Sequence, residues 1–239
     1  MRWGKSIALL FGLVLLLAWR AGSAAQSEQA ANQASADAPI QRILILGDSL
    51  SAEYGLARGS GWVTLVEQRL AHRNQAYQIR NASISGDTTI SGLQRLPSIL
   101  KEFDADILVL QLGANDGLRG LPIPEMKNNL QKMVELAHSH GAQVLLVGQH
   151  IPPNYGQRYT QAFHNAYADV AKNTGGELVP FMLEGIATNT SLFQADGLHP
   201  TEQAQPTIAD TIWQHLEPML PPMVGQAPDH PPVNSDSAG

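Results

Sequence analysis

Four short segments of this chain carry side chains that would, if brought together, make a nucleophilic catalyst. Ser49 stands two residues after Gly47, immediately beyond an apolar run. A serine placed there can project its hydroxyl into a cleft while its backbone N–H points at a developing oxyanion. The same residues have a plainer use, since Asp48 and Ser49 could cap a following helix. A serine hydroxyl needs a base, and the base needs an acceptor that orients it. His199 is one of eight histidines, but it alone follows an aspartate, Asp196, by three residues on a glycine-containing turn. That separation lets the carboxylate reach the imidazole Nδ1–H and leaves Nε2 for the serine. Asp196 could instead be a simple turn residue.

The remaining requirement is stabilisation of a negative oxygen. Asn115 offers a side-chain amide, and Gly86 lets a backbone N–H approach a substrate closely. Removing one such donor typically costs about 100- to 1000-fold in rate. Each residue alone could be an ordinary loop residue; their placement after successive apolar runs is what links them.

Other chemistries lack their signatures. There is no Gly-x-Ser-x-Gly elbow, no His-Glu-x-x-His, no phosphate-binding Gly-x-x-x-x-Gly-Lys loop and no Gly-x-Gly-x-x-Gly fingerprint. The chain has no cysteine, so disulfides, thiolate metal sites and a cysteine nucleophile are excluded. Only 15% of its residues are charged, the net charge is −6 and no basic run occurs, so nucleic-acid binding has no electrostatic support. Two rivals remain. One is a metal-dependent phosphoesterase using Asp48, Asn115, Asp116, Asp196 and His199 as ligands. The other is an exported protein that binds a lipid or sugar without turnover.

These residues must be positioned by a framework. Continuous apolar runs at residues 42–46, 77–82, 106–112, 143–147 and, more weakly, 177–179 alternate with amphipathic stretches at 62–72, 90–103, 124–140, 159–173 and 204–216. Short buried strands alternating with helices predict an α/β fold with a parallel sheet covered on both faces. In such sheets, ligands gather beyond the carboxyl ends of the strands, which is where Ser49, Gly86 and Asn115 fall. Pro124 suits the first turn of its helix and Gly141 a helix end. Pro97 is expected to kink or split the second helical stretch.

Residues 40–220 read as one domain. Before it, Arg2 and Lys5 precede an apolar run over residues 7–19 and small residues at 21–25, the pattern of a signal peptide spanning 1–25 with cleavage after Ala25. Arg20 is awkward for cleavage, and the alternative is an uncleaved anchor. The run is about 13 residues, short of the ~20 that cross a bilayer as a helix. Residues 26–39 read as a flexible lead-in, and 221–239 as a proline-rich disordered tail.

The four blocks together resemble the SGNH hydrolases, also called GDSL lipases. Gly47-Asp48-Ser49-Leu50-Ser51, Asn81 to Thr88, Gly113 to Gly120 and Asp196-Gly197-Leu198-His199-Pro200 occur in family order, with Ser49, Gly86, Asn115 and His199 as the eponymous residues. The sequence is most similar to the bacterial branch of thioesterase I, lysophospholipases and arylesterases, to which Pro153-Asn154-Tyr155-Gly156 adds. The resemblance implies a flavodoxin-like three-layer α/β/α sandwich with a five-stranded parallel sheet. It also implies no cofactor and periplasmic hydrolysis of small-molecule acyl esters or thioesters. Oligomeric state is left open by the sequence, with a monomer as the default, and a transient contact with lipid is compatible with such substrates. The loop from Gly117 to Pro122 is implied to admit the acyl chain, and Leu118, Ile151, Pro152 and Tyr155 are pocket candidates by position. Two departures stand out. Glu53 puts an extra carboxylate beside the helix expected after Ser49, and Ala114 replaces a usual glycine.

Overall fold

The five apolar runs form five strands; the three central ones are buried on both faces by the helices, while the edge strands at 77–81 and 177–179 are only partly buried. The strands are β1 (Gln41–Gly47), β2 (Tyr77–Asn81), β3 (Ile107–Gln111), β4 (Gln143–Val147) and β5 (Glu177–Val179). The computed structural model describes residues 40–73 and 76–222. The expected signal peptide, the lead-in and the tail from residue 223 onward lie outside the described residues. Residues 40–73 and 77–221 form one compact unit.

The helices are α1 (Trp62–Ala71), α2 (Thr89–Phe103), α3 (Ala114–Leu118), α4 (Ile123–Ser139), α5 (Gln157–Thr174) and α6 (Gln205–Leu216). Pro124 lies in the first turn of α4, and Gly141, at φ 84°, follows its C-cap His140. The expectation of a split at Pro97 is not met, since α2 runs unbroken through it. Its loss of one backbone hydrogen bond is outweighed by the face that α2 buries, with Leu96, Ile99, Leu100 and Phe103 packed at helical spacing.

All neighbouring strands pair in parallel, in the order β2-β1-β3-β4-β5. The period-two alternation of side chains divides the core in two. Leu44, Leu46, Leu108, Leu110, Val144 and Leu146 meet α2, α4 and α5 on one face. Ile43, Ile45, Ile107, Val109, Leu145 and Val147 meet α1 and α6 on the other. Every one of these twelve strand side chains is at most 1% exposed, and each contributes roughly 1.5–3 kcal/mol of burial. The result is the expected three-layer α/β/α sandwich with a five-stranded parallel sheet. The chain leaves β1 towards β2 on one side and returns to β3 on the other. The crevice at the carboxyl ends of β1 and β3 is therefore the topological switch point, where such sheets hold ligands.

The turn after β4 is close-packed against the turn after β5. A Cβ on Gly148 would lie 2.3 Å from the Pro180 carbonyl oxygen, which is backbone and cannot swing aside. Gly148→Ala is therefore expected to destabilise the fold by about 1–3 kcal/mol. Thermal unfolding should show a fall of roughly 2–4 °C for each kcal/mol.

Candidate active site

Ser49 is the second residue beyond β1, and the way the chain leaves that strand depends on close approach. A Cβ on Gly47 would sit 2.6 Å from Gln111 Oε1 and 2.7 Å from Ser51 Oγ, so only glycine fits there. Residues 49–55 then form successive turns, with Ala52 N–H donating to the Asp48 carbonyl at 3.0 Å and Tyr54 N–H to that of Ser49 at 3.2 Å. The helix expected after Ser49 is thus absent. Glu53 has φ 57°, in the left-handed region, which interrupts a right-handed helix. Its carboxylate turns to the Gly59 N–H at 2.9 Å and the Gly61 N–H at 2.8 Å. The extra carboxylate suspected of lying beside the nucleophile instead supports the N-terminus of α1, where negative charge is favoured.

Asp196 and His199 sit on a loop closed by an antiparallel bridge between Phe193 and Pro200 and by the Gln194 N–H donating to the His199 carbonyl at 2.7 Å. Within it, Asp196 Oδ1 accepts the backbone N–H groups of Leu198 at 2.9 Å and His199 at 3.0 Å. Its Oδ2 lies 2.7 Å from His199 Nδ1, and His199 Nε2 lies 2.9 Å from Ser49 Oγ. A carboxylate only accepts, so Nδ1 carries the hydrogen and Nε2 is the acceptor for the serine hydroxyl. The His199 backbone N–H, opposed by desolvation and helped by the Leu198 N–H and by the ring, holds Asp196 down to about 2. Gln194 ties this loop to that of Ser49, its Nε2 donating to the Tyr54 carbonyl at 2.9 Å. The Tyr54 ring packs on the imidazole with centroids 4.4 Å apart.

The other two candidates approach from the neighbouring strands. Gly113, at φ 119°, turns the chain after β3 beside the Tyr167 hydroxyl, which leaves no space for a Cβ. Ala114 then opens α3 with ordinary helical geometry, so the glycine usual there is not required. Asn115 Nδ2 donates to the Asp87 carbonyl at 3.0 Å and faces Asp48 Oδ2 at 3.4 Å. Gly86, at φ 83°, adjoins Asp87, and its carbonyl accepts from Arg119 Nη2 at 2.9 Å. Ser49, Gly86, Asn115, Asp196 and His199 are therefore linked by a continuous set of contacts.

The pocket candidates are spread more widely. Tyr155 is 37% exposed and donates its hydroxyl to the Leu118 carbonyl at 2.7 Å. Tyr159 donates to the Leu121 carbonyl at 2.8 Å, so two tyrosines hold the loop after α3. Pro152 is half-buried, whereas Ile151 is buried in the core and Leu118 packs partly against it. The five proposed metal ligands do not converge. Both oxygens of Asp116 accept from Thr89, and Asp48 engages Gln111. Among the described residues no group of three or more acidic or histidine side chains is placed to hold a metal ion.

Sequence reasoning passed over Gln111, the polar residue that closes the apolar run of β3. Its Nε2 donates to Asp48 Oδ1 at 2.9 Å, and its Oε1 accepts from Ser51 Oγ at 2.6 Å. It also passed over Asp87 and Arg95; the guanidinium Nε donates to the Asp87 carboxylate at 3.0 Å and steadies the loop that meets Asn115. In the sequence the one trace of the Gln111 contacts is a glutamine interrupting an otherwise apolar run, which does not show what it touches.

Residues 45–205 match the GDSL-like Lipase/Acylhydrolase family. The chain belongs to that family. Among similar proteins, Esterase TesA of Pseudomonas aeruginosa is 46% identical over 183 residues, covering 77% of this chain and 91% of that protein. Thioesterase 1/protease 1/lysophospholipase L1 of Escherichia coli strain K12 is 37% identical over 183 residues, covering 77% and 86%. A crystal structure of TesA matches with a TM-score of 0.74 at 46% identity, covering 75% of this chain and 100% of that one. The SGNH resemblance drawn from four motif blocks is borne out, and with it the fold and the assignment as an ester hydrolase.

Removing the Glu53 carboxylate leaves the Gly59 and Gly61 N–H groups without that acceptor but touches nothing at Ser49. Glu53→Ala is expected to cost about 0.5–2 kcal/mol of stability. Its kcat/KM on any hydrolysed ester should stay within about threefold of wild type, as a surface capping change away from the reacting atoms implies. Calorimetry and steady-state kinetics on the purified variant check both.

Proposed function

We propose that the protein is an exported serine esterase that hydrolyses acyl esters, and thioesters or lysophospholipids, through an acyl-Ser49 intermediate. The observation that carries this reading is the contact series from Ser49 Oγ to His199 Nε2 at 2.9 Å and from Nδ1 to Asp196 at 2.7 Å. As Ser49 Oγ attacks the carbonyl carbon, its proton passes to Nε2. The tetrahedral intermediate then collapses, and the leaving alcohol or thiol takes that proton. Water attacks the acyl-enzyme in turn, giving its proton to His199 and regenerating Ser49 as the acid departs. Asp196, ionised down to about pH 2, steadies the imidazolium formed in each half-reaction. Backbone N–H groups of Ser49 and Gly86 and the amide of Asn115 serve the oxyanion.

An acyl substrate suits the surroundings. Tyr54, Ile84, Leu121 and Leu198 are exposed large apolar side chains, all on loops at the carboxyl end of the sheet. The names of two relatives, an esterase and a thioesterase/protease/lysophospholipase, accord with it. Export is supported by the basic start, the apolar run over 7–19 and the small residues that follow it.

The test is hydrolysis of p-nitrophenyl esters from acetate to palmitate, one acyl-CoA and one lysophospholipid, by wild type and by Ser49→Ala. Ser49→Ala is expected to lower kcat by more than about 10⁴-fold and to abolish labelling by a fluorophosphonate, with thermal stability unchanged. Retained turnover in the variant would refute the serine mechanism.

A further inference from the structure

Asp48 is a carboxylate with no exposed surface, one residue before Ser49. Leaving such a group buried is costly unless its oxygens are well used. Oδ1 accepts from Gln111 Nε2 at 2.9 Å and from the Leu50 N–H at 3.1 Å. Those two donors fix the carboxylate plane and aim Oδ2 at Asn115 Nδ2, 3.4 Å away. The Asn115 amide carries only two N–H groups. One is committed to the Asp87 carbonyl at 3.0 Å. The other faces Asp48, at a distance beyond the usual 2.7–3.2 Å of an N–H···O bond. It is the hydrogen an oxyanion would need, and the long contact is the one that yields.

We propose that Asp48 is a positioning residue of the oxyanion hole: it holds the second Asn115 N–H in place in the resting enzyme and surrenders it when the negative oxygen forms. The proposal rests on the serine-esterase reading of the site. It explains why the position needs two acceptor oxygens. Asparagine at 48 would keep its carbonyl towards Gln111 and Leu50, both donors, and would oppose its own NH₂ to that of Asn115. Protonation has a similar effect, because a hydroxyl hydrogen on Oδ2 would meet the Asn115 N–H. Burial pushes the Asp48 carboxyl up to about 6, against the Gln111 and Leu50 hydrogen bonds. The titratable groups that act on it are His199, which favours its charge, and Asp87, which opposes it; buried Tyr167 on α5 also faces it. Protonation of Asp48 is therefore expected to lower turnover about as far as the amide substitution does, without abolishing it.

The experiment compares wild type, Asp48→Asn, Asn115→Ala and the double variant on the best p-nitrophenyl ester, with Ser49→Ala as control and fluorophosphonate titration of active sites. Asp48→Asn is expected to lose about 10- to 100-fold in kcat, less than the about 100- to 1000-fold of deleting the donor itself. KM should stay within about threefold, as for an interaction made in the transition state, and titratable serine should be undiminished. In the Asn115→Ala background the same change is expected to add less than about threefold, since the effect acts through Asn115. The ratio of wild-type to Asp48→Asn kcat/KM should shrink as pH falls through about 6, because protonated Asp48 then resembles the amide. A kcat for Asp48→Asn within threefold of wild type, or a full multiplicative loss in the Asn115→Ala background, overturns the proposal. If Asp48→Asn does not fold, Gln111→Met, which removes the donor that fixes Asp48 Oδ1, takes its place in the cycle. A kcat loss that disappears in the Asn115→Ala background then supports the proposal, and no loss or a full multiplicative loss refutes it. Turnover surviving in Ser49→Ala would instead sink the serine reading on which the proposal stands.

Discussion

The register of β1 on β3 sets where everything else in the site must go. Gly47 pairs with Gln111 at the last rung of that parallel ladder. Asp48 and Ser49 leave one strand beside the point where the chain leaves the other towards Asn115, and Gln111 reaches across to Asp48. A slip of one residue would turn every side chain to the opposite face. The slip is prevented by the core, since Leu44, Leu46, Leu108 and Leu110 belong to one apolar layer and Ile43, Ile45, Ile107 and Val109 to the other. The burial that stabilises the domain is thus also what aligns the reactive loops.

Two carboxylates in one site are pushed in opposite directions by their surroundings. Asp196, whose side chain is 39% exposed, is held at about 2 by the amides of its own turn. Asp48, completely buried, is raised to about 6 by desolvation. Such divergence is the usual mark of carboxyl groups with different tasks. The first suits a permanent counter-charge for an imidazolium. The second suits a group whose oxygens organise neutral amides. Their chemistry is the same; the water around them is not.

Loop architecture supplies the remaining precision. The Phe193–Pro200 bridge, the Gln194 contacts to Tyr54 and Pro200, and the turn inside Asp196–His199 make a short rigid hairpin of what reads as an irregular segment. On the opposite side, Tyr155 and Tyr159 clasp the loop after α3 from α5 and the single turn before it. Rigid supports on both sides suit a site in which small misplacements are costly.

Apolar runs and helical periodicity in the chain determined the strands, the alternation with helices and hence the α/β class, because burial on two faces leaves a direct mark on composition. The spacing of Asp196 and His199 and the Gly47-Asp48-Ser49 block were equally visible, being local. The fate of Pro97, the absence of a helix after Ser49 and the turning of Glu53 towards α1 were decided by tertiary structure. Each depends on local or distant structure the sequence does not spell out: the buried face of α2, the left-handed Glu53 backbone and the amides at 59 and 61 that its carboxylate accepts. Gln111, Asp87 and Arg95 were illegible for the same reason, since their partners lie on other elements. The chain by itself determined which groups are present and in what order; only the packed sheet decided which of them touch, because sequence neighbours report local geometry and hydrogen bonds across the switch point do not.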